Sequence, residues 1–231
     1  MIKLIKLEWT KHSLWKYLRN GAITTALVLG MLLLIGGDDP TTWEIVPQLG
    51  KSTIHALTEL FLNMCYNVFT GVMLASFIVG EYESKLIHLM FSYPIRRWKI
   101  LLSKILAVCL FTFLVLVASK ALTCGVLTAV YAPEAAALPM GELSFWTGAL
   151  ASAAVSVLSG CISLLVGTRM KSSKAAIISA FVIMLVVMGI TQGNVMPLAT
   201  AGGLIGYAVQ ILGAVAAVAL SIHGVETEDV I

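Results

Sequence analysis

Ile105–Ser119 reads ILAVCLFTFLVLVAS without a charged residue, and the chain stays apolar from there to Tyr131 with Lys120 as its only charge. A stretch of this length suits a helix that crosses a lipid bilayer, which needs about 20 residues. Of the 231 residues, 59% are hydrophobic and 12% are charged, whereas roughly 25% are charged in a typical soluble domain. This composition excludes a soluble enzyme, a disordered tail and a secreted disulfide scaffold. It predicts an integral membrane protein.

Working outward from this stretch, the sequence predicts an all-α membrane protein with six transmembrane helices in a single domain, residues 1–231. The apolar segments lie at 20–37, 54–80, 105–131, 145–167, 175–191 and 202–221. The first segment is the shortest, and a signal peptide is the alternative interpretation. Trp9, Trp15 and Tyr17 precede it, and a signal peptide has no need of such residues in its charged region, so a span is favoured.

The basic residues predict which way the spans face. Residues 1–19 hold five lysines and arginines, the connection between the second and third spans holds five, and that between the fourth and fifth holds three. The loops on the other side hold only Lys51. Because basic loops stay in the cytoplasm, we expect both termini to be cytoplasmic. The clustering of basic residues indicates orientation rather than nucleic-acid binding.

The N-terminal segment, residues 1–19, is too charged to span a membrane. Its lysines alternate irregularly with apolar and aromatic residues, including Trp9, Trp15 and Tyr17. This pattern favours a helix that lies in the membrane interface, with its rings at headgroup level and its lysines near anionic lipid. A solvated basic tail is the alternative.

The connection between the second and third spans, residues 81–100, predicts a short two-faced cytoplasmic helix over 81–93. One face is apolar and contains Tyr82, Leu86, Leu89 and Tyr93, and the other is polar and contains Glu81, Lys85, His88 and Ser92. Pro94 ends the helix, and the basic residues Arg96, Arg97 and Lys99 follow it. Such a helix can contact its own spans with one face and a soluble partner with the other. A surface helix without a partner remains the alternative.

This connection resembles that of the permease subunits of type-2 ABC exporters, which include bacitracin- and lantibiotic-resistance permeases. The matching features are the acidic residues Glu81 and Glu83, the short helix through Leu89, the turn Pro94–Arg97, and Lys104 at the start of the third span. The resemblance implies a coupling helix that docks on a cytoplasmic ATP-binding subunit. It also implies a multi-pass protein of the bacterial plasma membrane, in an assembly of two permease subunits, the same or homologous, and two ATP-binding subunits.

The energy source must lie on another chain if this resemblance holds. The sequence contains no Gly-x-x-x-x-Gly-Lys-Ser/Thr phosphate loop. We therefore expect no cofactor on this chain, with ATP and Mg²⁺ bound by the partner, and a transporter subunit rather than an enzyme. By similarity to compact permeases without large outer domains, the expected cargo is an antimicrobial peptide or another amphiphile.

A stripe of polar residues runs along the second span. His55, Glu59, Asn63 and Asn67 recur every four residues, and Tyr66 and Thr70 project on the same side. Because polar groups in lipid are costly, the stripe must face protein or water. Counting ~1.5 Å per residue from the cytoplasmic ends puts Lys120 of the third span within reach of Glu59 or Asn63. The stripe therefore lines a substrate path or forms interhelical hydrogen bonds, and we expect Lys120 to pair with Glu59.

Four further points bear on function. An ATP-independent carrier or channel that uses the polar stripe is the main alternative to an ABC permease. His55 and Glu59 are possible metal ligands, but the sequence offers no evident third one. Ser152, Ser156 and Gly160 have the small-x-x-x-small spacing of closely packed helices. The four cysteines all lie in apolar stretches, and we expect them to be small buried hydrophobes rather than disulfides or zinc ligands.

Overall fold

The computed structural model describes residues 14–38, 43–46, 51–80, 97–131, 140–170, 172–191 and 201–227. These residues form seven α-helices and one pair of two-residue antiparallel strands. The helices are α1 Leu14–Asp38, α2 Thr53–Leu74, α3 Arg97–Val130, α4 Leu143–Gly160, α5 Ile162–Met170, α6 Ser173–Thr191 and α7 Ala201–Thr227. The strands are β1 Ile45–Val46 and β2 Lys51–Ser52, with Ile45 opposite Ser52.

The helical membrane architecture is confirmed. Five helical stretches of the described residues are long and apolar enough to cross a membrane: Trp15–Gly37, Thr53–Val79, Ile100–Val130, Leu143–Met170 and Ile205–Ile222. The predicted fifth span, 175–191, is helical as part of α6, Ser173–Thr191, in which the described residues include the apolar stretch Ser173–Val187. The count of six spans therefore remains a prediction, because it requires α6 to cross the membrane as well.

The first helix begins earlier than the sequence predicts. Residues 14–19, which the interfacial helix 1–19 was expected to include, form the first turns of α1 without a break. Trp15 is 75% exposed there, while the Tyr17 ring packs edge-on against Phe77 at 5.4 Å. The sequence did not predict this continuity, because Lys16 and Arg19 come just before the apolar run. Their long side chains can nevertheless reach the membrane interface from the end of a span. Residues 1–13 lie outside the described part of the chain.

The fourth span is two helices instead of one. α4 ends at Gly160, α5 begins at Ile162, and Cys161 between them donates its amide to the carbonyl of Leu158 at 3.0 Å. Leu164 in turn donates to the carbonyl of Cys161 at 3.1 Å. Bonds across three residues rather than four tighten the turn and interrupt the α-helical ladder. Composition does not reveal such a break, since the segment is uniformly apolar.

Helix α2 is the centre of the bundle and packs against α1, α3, α4 and α6. It ends in a π-helical turn over Ala75–Val79, and the buried core runs along its whole length, from Ile54 through Leu62 and Tyr66 to Phe77. This position explains why the second span tolerates so many polar residues, since its neighbours cover nearly every side.

Contacts between helix ends show an up-and-down arrangement. The start of α1 meets the end of α2, where Tyr17 and Ser76 share a hydrogen bond of 2.8 Å. At the same end Gly167 of α5 lies against Val79 and against Ala176 of α6. The ends of the spans near the predicted cytoplasmic basic clusters therefore gather at one end of the bundle. This agrees with the predicted alternation of the spans, and which side of the membrane that end faces remains a prediction.

The predicted coupling helix lies outside the described residues. This applies to every coupling residue named above from Glu81 to Arg96, namely Glu81, Tyr82, Glu83, Lys85, Leu86, His88, Leu89, Pro94 and Arg96. Arg97 is the first residue of α3. The coupling role of these residues stays a prediction.

Candidate functional site

A buried ion pair lies at the centre of the polar stripe. Lys120 Nζ of α3 is 2.9 Å from Glu59 Oε2 of α2, and each side chain is 4% exposed. The predicted contact between these two residues is confirmed. Opposite charges at this distance neutralise each other, which is what allows either of them inside a bilayer.

Helix α4 completes this site with a hydroxyl that contacts both charged groups. Ser152 Oγ donates to Glu59 Oε2 at 2.6 Å and accepts from Lys120 Nζ at 2.7 Å. Lys120 Nζ also donates to the carbonyl of Ala149 at 3.4 Å, and Asn63 Nδ2 donates to Glu59 Oε2 at 3.4 Å. Three helices thus supply the hydrogen bonds that a buried ion pair needs if it is not to destabilise the fold.

One turn further along, α2 and α4 approach closely through small residues. Ser156 Oγ donates to the carbonyl of Asn63 at 2.9 Å, and Asn67 Nδ2 donates to the carbonyl of Ser156 at 3.3 Å and to Ser159 Oγ. A Cβ atom on Gly160 would lie 2.9 Å from the carbonyl oxygen of Asn67 and 2.9 Å from Thr70 Cβ. The small-residue pattern therefore forms a packing surface inside this subunit.

Tyr66 links the stripe to α1 and α3. Its hydroxyl shares hydrogen bonds with Ser119 Oγ at 2.7 Å and with Thr25 Oγ1 at 3.1 Å, and Thr25 and Ser119 share one of 2.8 Å. Tyr66 is 0% exposed. The sequence did not predict Thr25 or Ser119, because a single hydroxyl in an apolar helix usually bonds to its own backbone.

The remaining members of the stripe have local partners. The ring of His55 packs at a tilt of 37° against that of Phe145 of α4, with ring centroids 4.9 Å apart, and Thr70 Oγ1 donates to the carbonyl of Tyr66 at 2.8 Å. Among the described residues, no group of three or more His, Cys, Asp or Glu side chains comes together as a metal site. The geometry thus gives the metal alternative at His55 and Glu59 no support.

The arrangement as a whole favours interhelical bonding. All seven predicted intramembrane residues, His55, Glu59, Asn63, Tyr66, Asn67, Thr70 and Lys120, are 5% exposed or less. The contacts described above run to α1, α3 and α4 of the same chain. Among the described residues the stripe has no open face, which also disfavours the alternative of an ATP-independent carrier or channel along it. A part in the transport path stays a prediction.

A second site lies at the basic end of the bundle, beside the π-helical turn. Lys104 Nζ of α3, 3% exposed, donates to the carbonyl of Phe77 at 3.4 Å, and Tyr17 of α1 contacts Ser76 and Phe77. A π-helical turn leaves carbonyl groups out of the regular ladder, and such turns are frequent at functional sites. The sequence placed Lys104 near this end but did not predict the turn.

Comparison with known proteins gives one family and one relative. The family described as ABC-2 family transporter protein matches residues 48–220, well over half of the chain. An uncharacterized protein of Bacillus subtilis (strain 168), YcbO, is 26% identical over 121 residues, which cover 52% of this chain and 53% of that protein. The match thus spans about half the length of that relative. No solved structure matches the chain.

Proposed function

The chain belongs to the ABC-2 family of transporter proteins, which makes it the membrane component of an ABC transporter, and we propose that it is the permease subunit of an exporter driven by ATP. The observation that carries this proposal is the family match over residues 48–220, which includes α2 to α6 and most of α7. In this proposal ATP and Mg²⁺ are bound by a separate ATP-binding subunit, which agrees with the lack of a phosphate-loop motif in residues 1–231.

The proposed transport unit contains two permease subunits and two ATP-binding subunits, as the resemblance to type-2 exporters implies. In each permease, six spans cross the bacterial plasma membrane, both termini are cytoplasmic, and the segment 81–93 docks on an ATP-binding subunit. The distribution of lysine and arginine supports this orientation, and so does the gathering of the basic helix ends at one end of the bundle.

The proposed coupling path runs from segment 81–93 into α2 and α3. Segment 81–96 joins the end of α2 directly to the start of α3, and Lys104 connects these two helices again through the carbonyl of Phe77. A displacement of the segment therefore acts on both helices together. Because α2 is the central helix, its movement reaches α1, α4 and α6.

The proposed cargo is a peptide, such as an antimicrobial peptide or bacteriocin, or another amphiphile cleared from the membrane. Support comes from the similarity to compact antibiotic-resistance permeases.

Affinity purification of the tagged chain from its native membrane tests the proposed function. We expect a protein with a phosphate loop to copurify, and the complex to hydrolyse ATP. Binding of peptides, lipids and drugs to the same complex then identifies the cargo class. Recovery of the chain without an ATP-binding protein, under conditions in which a known ABC transporter of that membrane stays assembled, would contradict the proposal.

A further inference from the structure

Two cysteines that the proposed transport cycle does not use lie in contact. Cys109 of α3 and Cys161, 52 residues further along the chain, have their Sγ atoms 3.3 Å apart. Both are free thiols, Cys161 is 1% exposed, and Cys109 is half-buried. Cys161 is also the residue at which the fourth span breaks between α4 and α5.

We propose that Cys109 and Cys161 are a redox modification site, a thiol pair that oxidises reversibly to a disulfide joining α3 to the break in the fourth span. A disulfide requires its sulfur atoms about 2 Å apart, so they must approach each other by about 1.3 Å. Cys161 lies at the junction of α4 and α5, where its amide and carbonyl bond across three residues instead of the four of a regular α-helix.

Hydrogen peroxide, a small neutral oxidant that crosses membranes, supplies the chemistry. The thiolate of Cys109 attacks the peroxide oxygen, forming a sulfenic acid and, after protonation of the leaving hydroxide, one water. The sulfur of Cys161 then displaces the sulfenic hydroxyl as a second water and forms the disulfide. The two thiols together lose two electrons and two protons, and one peroxide becomes two waters.

Cys109 is the residue we expect to react first. It is the more exposed of the pair, and it lies five residues from Lys104, or ~7.5 Å along the helix at 1.5 Å per residue. Thiolate formation is disfavoured by full burial, and of the two thiols Cys109 is the one that is only half-buried. Cys161 is buried against it and acts as the resolving thiol.

The disulfide would hold α3 in a fixed position relative to α2 and α4, which contact each other beside it. Gly160, the neighbour of Cys161, packs directly on the carbonyl oxygen of Asn67, so the new link would hold three helices in one relative position. We therefore expect oxidation to slow transport, an effect that rests on the proposed function. Formation of the bond does not rest on it.

The test uses the full chain in lipid bilayers, treated with hydrogen peroxide, denatured and alkylated with a maleimide. We expect the wild-type chain to lose two of its four alkylatable thiols, a linked peptide pair containing Cys109 and Cys161 on mass analysis, and full recovery with dithiothreitol. Four remaining thiols, or a link that involves Cys65, Cys124 or another chain, would overturn the proposal.

Two variants provide the matched controls. Cys109→Ala/Leu110→Cys moves the thiol to a neighbouring position that is 46% exposed, and it should form no link. Cys65→Ala/Cys124→Ala retains only the proposed pair and should lose both thiols. Equal linking in the relocated variant would show that the contact is not responsible. If the bond forms but ATP-driven transport is unchanged, the thiol pair stands and its mechanical consequence is refuted.

Discussion

Replacing Lys120 by Met should destabilise the protein severely, because the substitution leaves a carboxylate inside the bundle without its cation. In the wild-type protein Glu59 Oε2 accepts from Lys120 Nζ at 2.9 Å and from Ser152 Oγ at 2.6 Å. After the change, Ser152 and Asn63 still donate to the carboxylate, but neither of them carries a positive charge.

The structure sets the expected magnitude. Both side chains are 4% exposed, and removing one partner of a buried pair costs about 3–5 kcal/mol. Glu59→Gln should cost a similar amount, because it leaves the ammonium group uncompensated. Glu59→Gln/Lys120→Met should cost much less than the sum of the single changes, since no buried charge remains. A charge swap of the two residues should also restore part of the loss.

Reversible unfolding of the four variants in detergent or lipid provides the assay, analysed as a double-mutant cycle. Glu142→Gln is the matched control, because Glu142 is exposed at the start of α4 and its neutralisation should leave stability nearly unchanged. Additive free energies for the two single substitutions would refute the argument, since they would show that the groups do not interact across the helices.

Three other changes test the packing and the coupling. Gly160→Ala should destabilise the fold by about 1–3 kcal/mol, because its new Cβ would lie 2.9 Å from a carbonyl oxygen of α2. Gly148→Ala should be neutral, since a Cβ there meets nothing within 4 Å. Thermal unfolding of the two variants compares these effects. Tyr66→Phe should lower the free energy of unfolding by about 1–3 kcal/mol, because it removes the buried hydroxyl that bonds to α1 and α3. Denaturant unfolding measures this loss, and an unchanged stability would contradict the prediction. Leu86→Pro or Glu81→Arg should uncouple ATP hydrolysis from transport while the chain still inserts in the membrane, and intact coupling in reconstituted vesicles would count against the proposed role of that helix.

The sequence was sufficient for the features that depend on composition and spacing. Long uniform apolar stretches predicted the helices, since a helix satisfies all of its backbone hydrogen bonds within one such segment. The recurrence of polar residues at every fourth position of the second span predicted the polar stripe. Counting residues from the helix ends brought Lys120 to the height of Glu59, and the ion pair followed because a lone lysine at that depth needs a counter-charge.

The features that it did not reveal depend on tertiary packing. The break at Cys161 and the π-helical turn at Ala75–Val79 occur inside apolar runs that look the same as regular helix. Ser152 bonds to the ion pair and Ser119 bonds to Tyr66. Predicting these bonds requires the relative rotation of two helices, which hydropathy does not encode. The contact of Cys109 with Cys161 is of the same kind, because it joins residues from two different spans.

In the proposed mechanism another chain supplies the driving force through the segment that follows α2. A photo-crosslinking amino acid at His88, on the predicted polar face of that segment, tests it in intact native membranes, with the same amino acid at Glu142 as the control. We expect an adduct with a phosphate-loop protein from position 88 and none from position 142. No adduct from position 88, or equal adducts from both positions, would contradict it.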